Sequence, residues 1–404
     1  MVKAADRVLC WTSLLIIARW HEILGQHWQV EVARDAERAY TAHWEPSTRN
    51  GHGAGLIRFA EYCDMCQVPE IDRFPLTVEL AVGFIGWAAG QMGQSAVCTW
   101  LSGLRAWHIV HGFQYTVEDS IHVKTALAGV GKLAPTKSKR PPRIPVTIQH
   151  LNTLYSGLEF TNSFDIAVWA VACAAFWGLT RLGEITTPNS SFDPDRSVTA
   201  AARIIQNIDK GIHSASFDIP WTKTTLRQGA TILLTEEKSE TSCPLRALKL
   251  HLKANKALPA DAHLFGFVTS KGGWKPMIKS AFLARCEEIW SAAKLSIPSG
   301  HSFRIGGTSH LLSRGSDVQI VQRLGRWSSD AFYLYWRNAQ AIIPLHVSSA
   351  AECDAILKRV EKHLEGADSE VIEAWNSLQA SQVTPAAKST KLITKRAKKA
   401  SAGK

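Results

Sequence analysis

The feature that most constrains the fold of this chain is the Pro-rich segment "APTKSKRPPRIP" at residues 134–145. Its four prolines lack the backbone N–H that a helix or a central strand needs. Patterns typical of regular structure lie on both sides, so we interpret the segment as an extended linker between two domains. The length of 404 residues agrees with this division, because a domain usually holds roughly 100–200 residues.

Residues 1–135, before the linker, have the apolar spacing of helices. Apolar residues recur every three or four positions in "TVELAVGFIGWAAGQM" and "SAVCTWLSGLRAWHIVHG", with Ser or Thr at the starts and Gly near the ends. This pattern predicts a helical bundle from about Pro46 to Leu133, preceded by one or two amphipathic helices. Lys3 and Arg7 precede an apolar patch, as in a signal peptide, but a small-x-small cleavage site is missing, so we favour an amphipathic helix there.

Helical and β-type patterns are mixed after the linker. Helices are predicted at "TIQHLNTLYSGL", "SFDIAVWAVACAAFWGLTRLGEI" and "CPLRALKLHLKAN", and β-branched runs separated by "DKG" and "TLRQG" predict strands between residues 202 and 234. From Gly300 we predict three helices: Ser302 to Ser313, Asp317 to Leu324, and one starting at Ser329. The apolar run Ala167–Leu179 is shorter than the ~18 residues that cross a bilayer, so no membrane span is predicted. The expected fold class is mainly α with a small β-sheet or hairpin (α+β).

The formal net charge of +11 is concentrated in two strips. "KSKRPPR" at 137–143 carries four basic residues, "KSTKLITKRAKKASAGK" at 388–404 carries seven, and neither contains an acid. Such strips favour polyanions through counterion release, although on charge alone a solvated linker and a solubilising tail stay possible. "KRAKK" at 395–399 is of the nuclear-localisation type, so a nuclear protein is expected. Of the eight cysteines only Cys63 and Cys66 form a C-x-x-C, which predicts reduced thiols in an intracellular protein rather than a zinc site.

A group of polar residues in the second half of the chain suits phosphate chemistry. His301 and Arg304 are one helical turn apart and can point the same way, while Gly306 and Gly307 predict that another backbone comes close. Arginine binds phosphate oxygens well because its guanidinium is planar and bidentate. A second arginine, Arg181, follows an apolar helix where a charge needs a partner or a ligand.

Two segments resemble the two arginine boxes of the tyrosine recombinases. "FWGLTRLGEI" resembles the first box, and "HSFRIGGTSHLLSRG" with "VQRLGRWSSDAFYLYWR" resembles the second. The family's signature is the order Arg, Lys, His-x-x-Arg, His or Trp, Tyr. The matching residues in this chain are Arg181, Lys223, His301, Arg304, Trp327 and Tyr335. The resemblance spans about residues 46–345, and "LSGLRAWHIVHG" and "GRWSSDAF" are similar to recombinase-like proteins of fungal mobile elements such as Cryptons.

The resemblance implies DNA strand breakage and rejoining without a metal or a nucleotide cofactor. Tyr335 would attack the scissile phosphorus, giving a 3′-phosphotyrosine and a free 5′-hydroxyl. Arg181 and Arg304 would hold the charge on the phosphoryl oxygens, Lys223 would protonate the leaving oxygen, and His301 would assist proton transfer.

Each of these residues also has a purely structural interpretation. Trp327 would offer its indole N–H and support the pocket, but it could equally be a packing residue. Glu184 would orient Arg181 from behind, yet the two could form a simple intrahelical ion pair. His301 could cap a helix, and Lys223 could be a solvated strand lysine.

Two tyrosines compete for the role of nucleophile. Tyr333 lies two residues before Tyr335, which is ~200° around a helix, so only one of them can face the site. Tyr335 stands eight residues after Trp327, one fewer than in many bacterial integrases, and is followed by "WR" where relatives often have an aliphatic residue before the Arg. We favour Tyr335.

The resemblance also implies a two-domain DNA clamp, with a helical core-binding (SAM-like) domain and a tyrosine-recombinase catalytic domain. The predicted segments are an N-terminal helix or extension at 1–27, the core-binding domain at 28–135, the basic linker at 136–146, the catalytic domain at 147–360, and a C-terminal helix with a basic disordered tail at 361–404. The linker cations expected on the DNA backbone are Lys137, Lys139, Arg140 and Arg143. The expected partners are double-stranded DNA and further copies of the chain on that DNA. The alternatives are a catalytically silent DNA-binding protein derived from a mobile element, a type IB topoisomerase, and a helical scaffold protein.

Overall fold

The computed structural model of the protein describes residues 2–26, 29–138, 141–238 and 241–335. Over these residues the protein is mainly α-helical with two small antiparallel sheets, which confirms the predicted fold class. The boundary between two compact units falls between Pro141 and Pro142, inside the Pro-rich segment that we interpreted as a linker. The predicted C-terminal helix and basic tail lie outside the described residues, as do Lys139 and Arg140 of the linker.

The first unit consists of helices and short 3-10 segments. Its α-helices are α1 (Arg7–Cys10), α2 (Leu14–Gln26), α3 (Val30–His43), α4 (Pro46–Met65), α5 (Val78–Ala88), α6 (Gln94–Val110) and α7 (Ile121–Leu133). Its 3-10 segments are Ala4–Asp6, Glu70–Asp72, Val117–Asp119 and Thr136–Ser138. The helices of the predicted bundle therefore begin at Pro46 and end at Leu133. The α4 and α6 backbones touch where each helix has a glycine, Gly55 on α4 and Gly103 on α6. A Cβ on Gly55 would lie 2.6 Å from the Trp100 carbonyl oxygen, and one on Gly103 would collide with the His52 carbonyl.

Hydrogen bonds fasten the N-terminal helices to this bundle. The Arg7 guanidinium donates to the Gly53 carbonyl at 3.0 Å, and the Trp107 indole donates to the Trp11 carbonyl at 2.8 Å. His111 is buried between the Val8 carbonyl and the α2 indole, and burial lowers the pKa of this imidazole to about 4. Within the described part of the chain no single helix is long and apolar enough to cross a membrane; the bent pair Ala4–Cys10 and Leu14–Gly25 meets the length and composition limits only when taken together.

The second unit contains α8 (Ile148–Gly157), α9 (Ser163–Trp177), α10 (Leu182–Ile185), β1 (Ile205–Asp209), β2 (Ile212–Ile219), β3 (Ala230–Thr235), α11 (Pro244–Ala254), β4 (Phe267–Val268), β5 (Trp274–Lys275), α12 (Lys279–Ala292), α13 (Ser302–Ser313), α14 (Val318–Leu324) and the 3-10 segment Asp330–Tyr335. Helix α9 is the centre of its core, and every residue from Asp165 to Trp177 is buried. An apolar surface all round a helix fits this position, since neighbours cover it on all sides. Helices α11 and α13 are among the elements that pack against α9.

Strands β1, β2 and β3 form one antiparallel sheet in sequence order. The "DKG" turn joins β1 to β2, and Lys210 and Gly211 have φ of +49° and +75°, as a two-residue hairpin turn requires. On β2 and β3 buried residues alternate with more exposed ones, so one face of this hairpin covers the core. The connection between β2 and β3, residues 220–229, is the loop that carries Lys223.

The segment from residue 302 onward agrees with two of the three predicted helices and differs in the third. Helix α13 has the predicted bounds, and Asp317 caps α14 by accepting a hydrogen bond from the Ile320 N–H at 2.9 Å. The third is a 3-10 helix, Asp330–Tyr335, rather than an α-helix. Short 3-10 segments are frequent at helix ends and as connectors.

Candidate active site

Helix α13 is held in place by two close backbone contacts, as its paired glycines predicted. A Cβ on Gly306 would collide with the Val146 carbonyl, and one on Gly307 would collide with the Phe176 carbonyl at the end of α9. The Val146 N–H also donates to the Ser302 carbonyl at 3.0 Å. The start of α13 is therefore anchored both to the end of the linker and to the central helix, which makes its first turn a rigid base for side chains.

Arg304, on that first turn, is a fully buried cation. One of its terminal nitrogens, Nη2, donates to the Gly325 carbonyl at 2.5 Å, and its Cζ lies 3.9 Å from the centre of the Trp327 ring. Its Nε and Nη1 atoms have no hydrogen-bond partner among the described residues. Burial, and next the charge of Arg181, lower the pKa of Arg304 from its ordinary value to about 10. Buried N–H groups are normally hydrogen-bonded, so two free donors on one buried guanidinium point to a missing acceptor.

His301 and Tyr335 face each other beside Arg304. His301 stands at the N-terminal cap position of α13, but its side chain makes no capping hydrogen bond. Instead its Nε2 lies 2.5 Å from the Tyr335 hydroxyl oxygen. Burial, followed by the charges of Arg304 and other cations, lowers the pKa of His301 to about 4. The imidazole is therefore neutral at physiological pH, and its Nε2 can take a proton from the phenol.

The two candidate tyrosines face different surroundings. Tyr333 is buried, 6% exposed, in an apolar cluster with Leu179 and Val321. Tyr335 is half-buried, its ring centre is 4.8 Å from that of Trp327, and Arg304 Cζ is 5.9 Å from its ring centre. Only Tyr335 is thus next to the basic groups.

Arg181 reaches the same region from the start of α10. Its Nη1 donates to Glu184 Oε1 at 2.9 Å, and its backbone N–H donates to Glu184 Oε2 at 2.9 Å. The Glu184 side chain is 4% exposed, whereas that of Arg181 is 31% exposed. The Glu184 carboxylate therefore binds the backbone N–H at the start of α10 and also holds the Arg181 guanidinium, which can still reach solvent. The charge of Arg181 also contributes to lowering the pKa values of Arg304 and His301, in each case less than burial does.

Arg326 is a further member of this cluster that the sequence analysis missed. Its Nη2 donates to Glu184 Oε2 at 2.8 Å, and its Nη1 donates to the Gly178 carbonyl at 3.3 Å and the Leu324 carbonyl at 3.2 Å. The spacing to Tyr335 could have pointed to it. Trp327 stands eight residues before Tyr335, one fewer than the spacing in many bacterial integrases, whereas Arg326 stands nine residues before it.

The other candidates among the described residues are exposed. Lys223 is exposed in the β2–β3 loop, and its side chain makes no hydrogen bond or ion pair with any other described residue. Lys137 and Arg143 are also exposed. The charges of Arg143 and Lys279 help to lower the pKa of His301, though less than burial and the charge of Arg304 do. Lys279 was not among the residues predicted from the sequence. The described residues include no group of three or more His, Cys, Asp or Glu arranged to hold a metal ion.

The chain matches no protein-family model and no curated protein. Among solved structures it is similar to the XerH site-specific recombinase bound to its difH substrate, with 12% identity over 82% of this chain and 89% of that chain and a TM-score of 0.45. It is similar to a lambda integrase dimer bound to a COC′ core site, with 12% identity over 81% of this chain and 96% of that one and a TM-score of 0.42. It is also similar to the Tn1549 transposon integrase in complex with transposon right-end DNA, with 12% identity over 86% and 99% of the two chains and a TM-score of 0.43.

Proposed function

We propose that the protein breaks and rejoins DNA strands through a covalent 3′-phosphotyrosine on Tyr335. The observation that carries the proposal is the phenol of Tyr335 within 2.5 Å of the neutral His301 imidazole, beside a buried guanidinium, that of Arg304, with two unpartnered N–H groups. A phenol with an adjacent proton acceptor can become a nucleophile, and free guanidinium donors fit the oxygens of a phosphodiester.

In the proposed reaction the Tyr335 oxygen bonds to phosphorus as its proton passes to His301 Nε2. The bond from phosphorus to the 5′ oxygen breaks, and that oxygen leaves with a proton that we assign to Lys223. Arg181 and Arg304 hold the non-bridging oxygens, a role in which loss of one donor costs about 10²–10³ in rate. Rejoining reverses these steps with a 5′-hydroxyl as the nucleophile, so the energy of the phosphodiester bond is kept.

The exposure of each group sets what DNA must do on binding. Arg304 lies under the rings of Trp327 and Tyr335, so we expect the incoming phosphate to displace one ring and to satisfy the free Nε and Nη1 donors. Lys223 would reach the leaving oxygen only when its exposed loop closes on the duplex.

The wider context is also part of the proposal. It comprises site-specific recombination or integration, self-association on double-stranded DNA, an origin in a mobile element, and a nuclear location. These rest on the sequence resemblance and on the basic strips, of which exposed Lys137 and Arg143 are described.

The test is the covalent adduct itself. Purified protein would be incubated with nicked suicide duplexes drawn from the DNA that flanks its own gene, denatured, and analysed for DNA-linked protein. We expect an adduct that Tyr335→Phe abolishes while DNA binding is kept, and that the matched control Tyr333→Phe retains.

Other outcomes select other functions. DNA binding without any adduct would support the silent DNA-binding alternative, and relaxation of supercoiled DNA by a monomer would support a type IB topoisomerase. Loss of the adduct with Tyr333→Phe alone would move the nucleophile. Failure to bind DNA at all would leave the scaffold alternative.

A further inference from the structure

We infer that Arg326 is a positioning residue that offsets the negative charge of Glu184, so that Arg181 attracts a substrate phosphate more strongly; this inference rests on the proposed function. Arg326 does not need to touch the substrate in this role. It acts through the carboxylate that it shares with Arg181.

The shared carboxylate is the first observation. Glu184 Oε1 accepts from Arg181 Nη1 at 2.9 Å, and Oε2 accepts from Arg326 Nη2 at 2.8 Å. The side chain of Glu184 is 4% exposed, so water does little to screen its charge. Were Arg326 neutral, the whole negative charge would act on Arg181, and the attraction of Arg181 for a second anion would fall.

The backbone at Arg326 is the second observation. Its φ of +59° is in the left-handed region, as is common for the residue that follows the last turn of a helix, and the next N–H, that of Trp327, donates back to the Gln322 carbonyl at 3.1 Å. This turn directs the side chain inward, where it is 16% exposed and donates to the Gly178 and Leu324 carbonyls as well as to Glu184. The turn that ends α14 therefore places a cation on the same carboxylate that supports Arg181.

The same contacts connect the segment that carries Arg181 with the segment that holds Arg304. Gly178 precedes Arg181, while Leu324 precedes Gly325, whose carbonyl holds Arg304. Arg326 could therefore act in two ways: as the charge that neutralises Glu184, which we infer, or as a hydrogen-bonded brace between the segments.

Replacements at two positions separate these roles. The assay is the single-turnover rate of adduct formation on the suicide duplex, with Arg326→Met, Glu184→Gln, the double variant and Arg326→Lys. The control is Arg323→Met, which removes an exposed cation from the neighbouring turn of α14. Thermal melting of each variant checks folding.

If Arg326 neutralises Glu184, Arg326→Met slows adduct formation by up to about 100-fold, the effect of losing one direct phosphate donor, because the uncompensated carboxylate then competes with the phosphate for Arg181. Adding Glu184→Gln to it restores at least tenfold, because the charge to be neutralised is gone. Arg326→Lys keeps most of the rate, and the Arg323 control is close to the wild type.

A brace predicts the opposite results, which would overturn the inference: the double variant is no faster than Arg326→Met, and Arg326→Lys is as slow as Arg326→Met. Should Arg326→Met fail to fold, the Lys variant still decides between the roles. A wild-type protein that forms no adduct refutes the proposed function itself, and the inference then falls with it.

Discussion

The sharpest prediction concerns the opposite consequences of removing two arginines, the buried Arg304 and the half-buried Arg285. In Arg304→Met the change removes a cation that its surroundings disfavour. The fall of its pKa to about 10 corresponds to about 3 kcal/mol against the charged form. Methionine also removes the charged hydrogen bond to the Gly325 carbonyl, which contributes ~1.5–3 kcal/mol. The two terms nearly cancel, so the free energy of unfolding should change by less than about 2 kcal/mol.

The matched control is Arg285→Met. Arg285 Nε and Nη2 donate to the two carboxylate oxygens of Asp165 at 3.0 and 2.8 Å, and these hydrogen bonds raise its pKa. Without the arginine, a carboxylate that is 3% exposed loses its cation and keeps the Glu159 N–H as its remaining hydrogen bond. Breaking such a pair should lower the free energy of unfolding by about 3 kcal/mol.

Both free energies can be measured by urea denaturation at pH 7, and adduct formation by the suicide-duplex assay. We expect Arg304→Met to keep its free energy of unfolding and to form the adduct at least ~100-fold more slowly. Arg285→Met should instead lose stability and keep its rate of adduct formation. If Arg304→Met instead lost as much stability as the control, Arg304 would be a structural cation, and the reasoning from its unpartnered donors would be refuted.

Three further predictions test the packing, the titration and the basic linker. A Cβ on Gly307 would collide with an α9 carbonyl, so Gly307→Ala should lower the free energy of unfolding by roughly 1–3 kcal/mol. Gly129→Ala, where a Cβ would meet open space, should not lower it, and equal effects of the two changes would contradict the close approach at Gly307. His301 has a folded pKa of about 4 and an ordinary value of 6.5, so as pH falls between these values the unfolded chain binds the proton first and stability drops. In His301→Gln the curve of stability against pH should be flatter in that window, and parallel curves would count against a neutral His301. Lys137→Gln and Arg143→Gln should each weaken binding to all duplexes alike and reduce the salt slope by about 1, and a loss confined to one sequence would show base recognition instead.

Much of the local structure was predictable because it depends on neighbouring residues. The prolines of the linker mark the boundary between the units, and the "DKG" turn has the positive φ values that close the β1–β2 hairpin. The cap at Asp317 and the bounds of α13 follow from side chains within one turn. The pair Gly306 and Gly307 was also informative, because only a close backbone contact explains two glycines inside a helix.

Contacts between distant segments were not predictable in this way. Arg326 meets a carboxylate 142 residues away in the chain, and its interaction depends on a left-handed backbone that an arginine seldom adopts. Lys223 was grouped with the other candidates because of its family resemblance, but in the structure its loop is exposed and its side chain makes no described contact with them. The winding of Asp330–Tyr335 as a 3-10 helix was likewise missed.

The order of residues alone established where the helices and turns that carry the candidate residues begin, since caps, prolines and glycines act within a few residues. Only the tertiary structure decided that His301 faces Tyr335 rather than capping its own helix, that Tyr333 is in the core, and that one buried carboxylate lies between two arginines. Those outcomes depend on packing and on the loss of water around charges, which arise only when segments far apart in the chain come together.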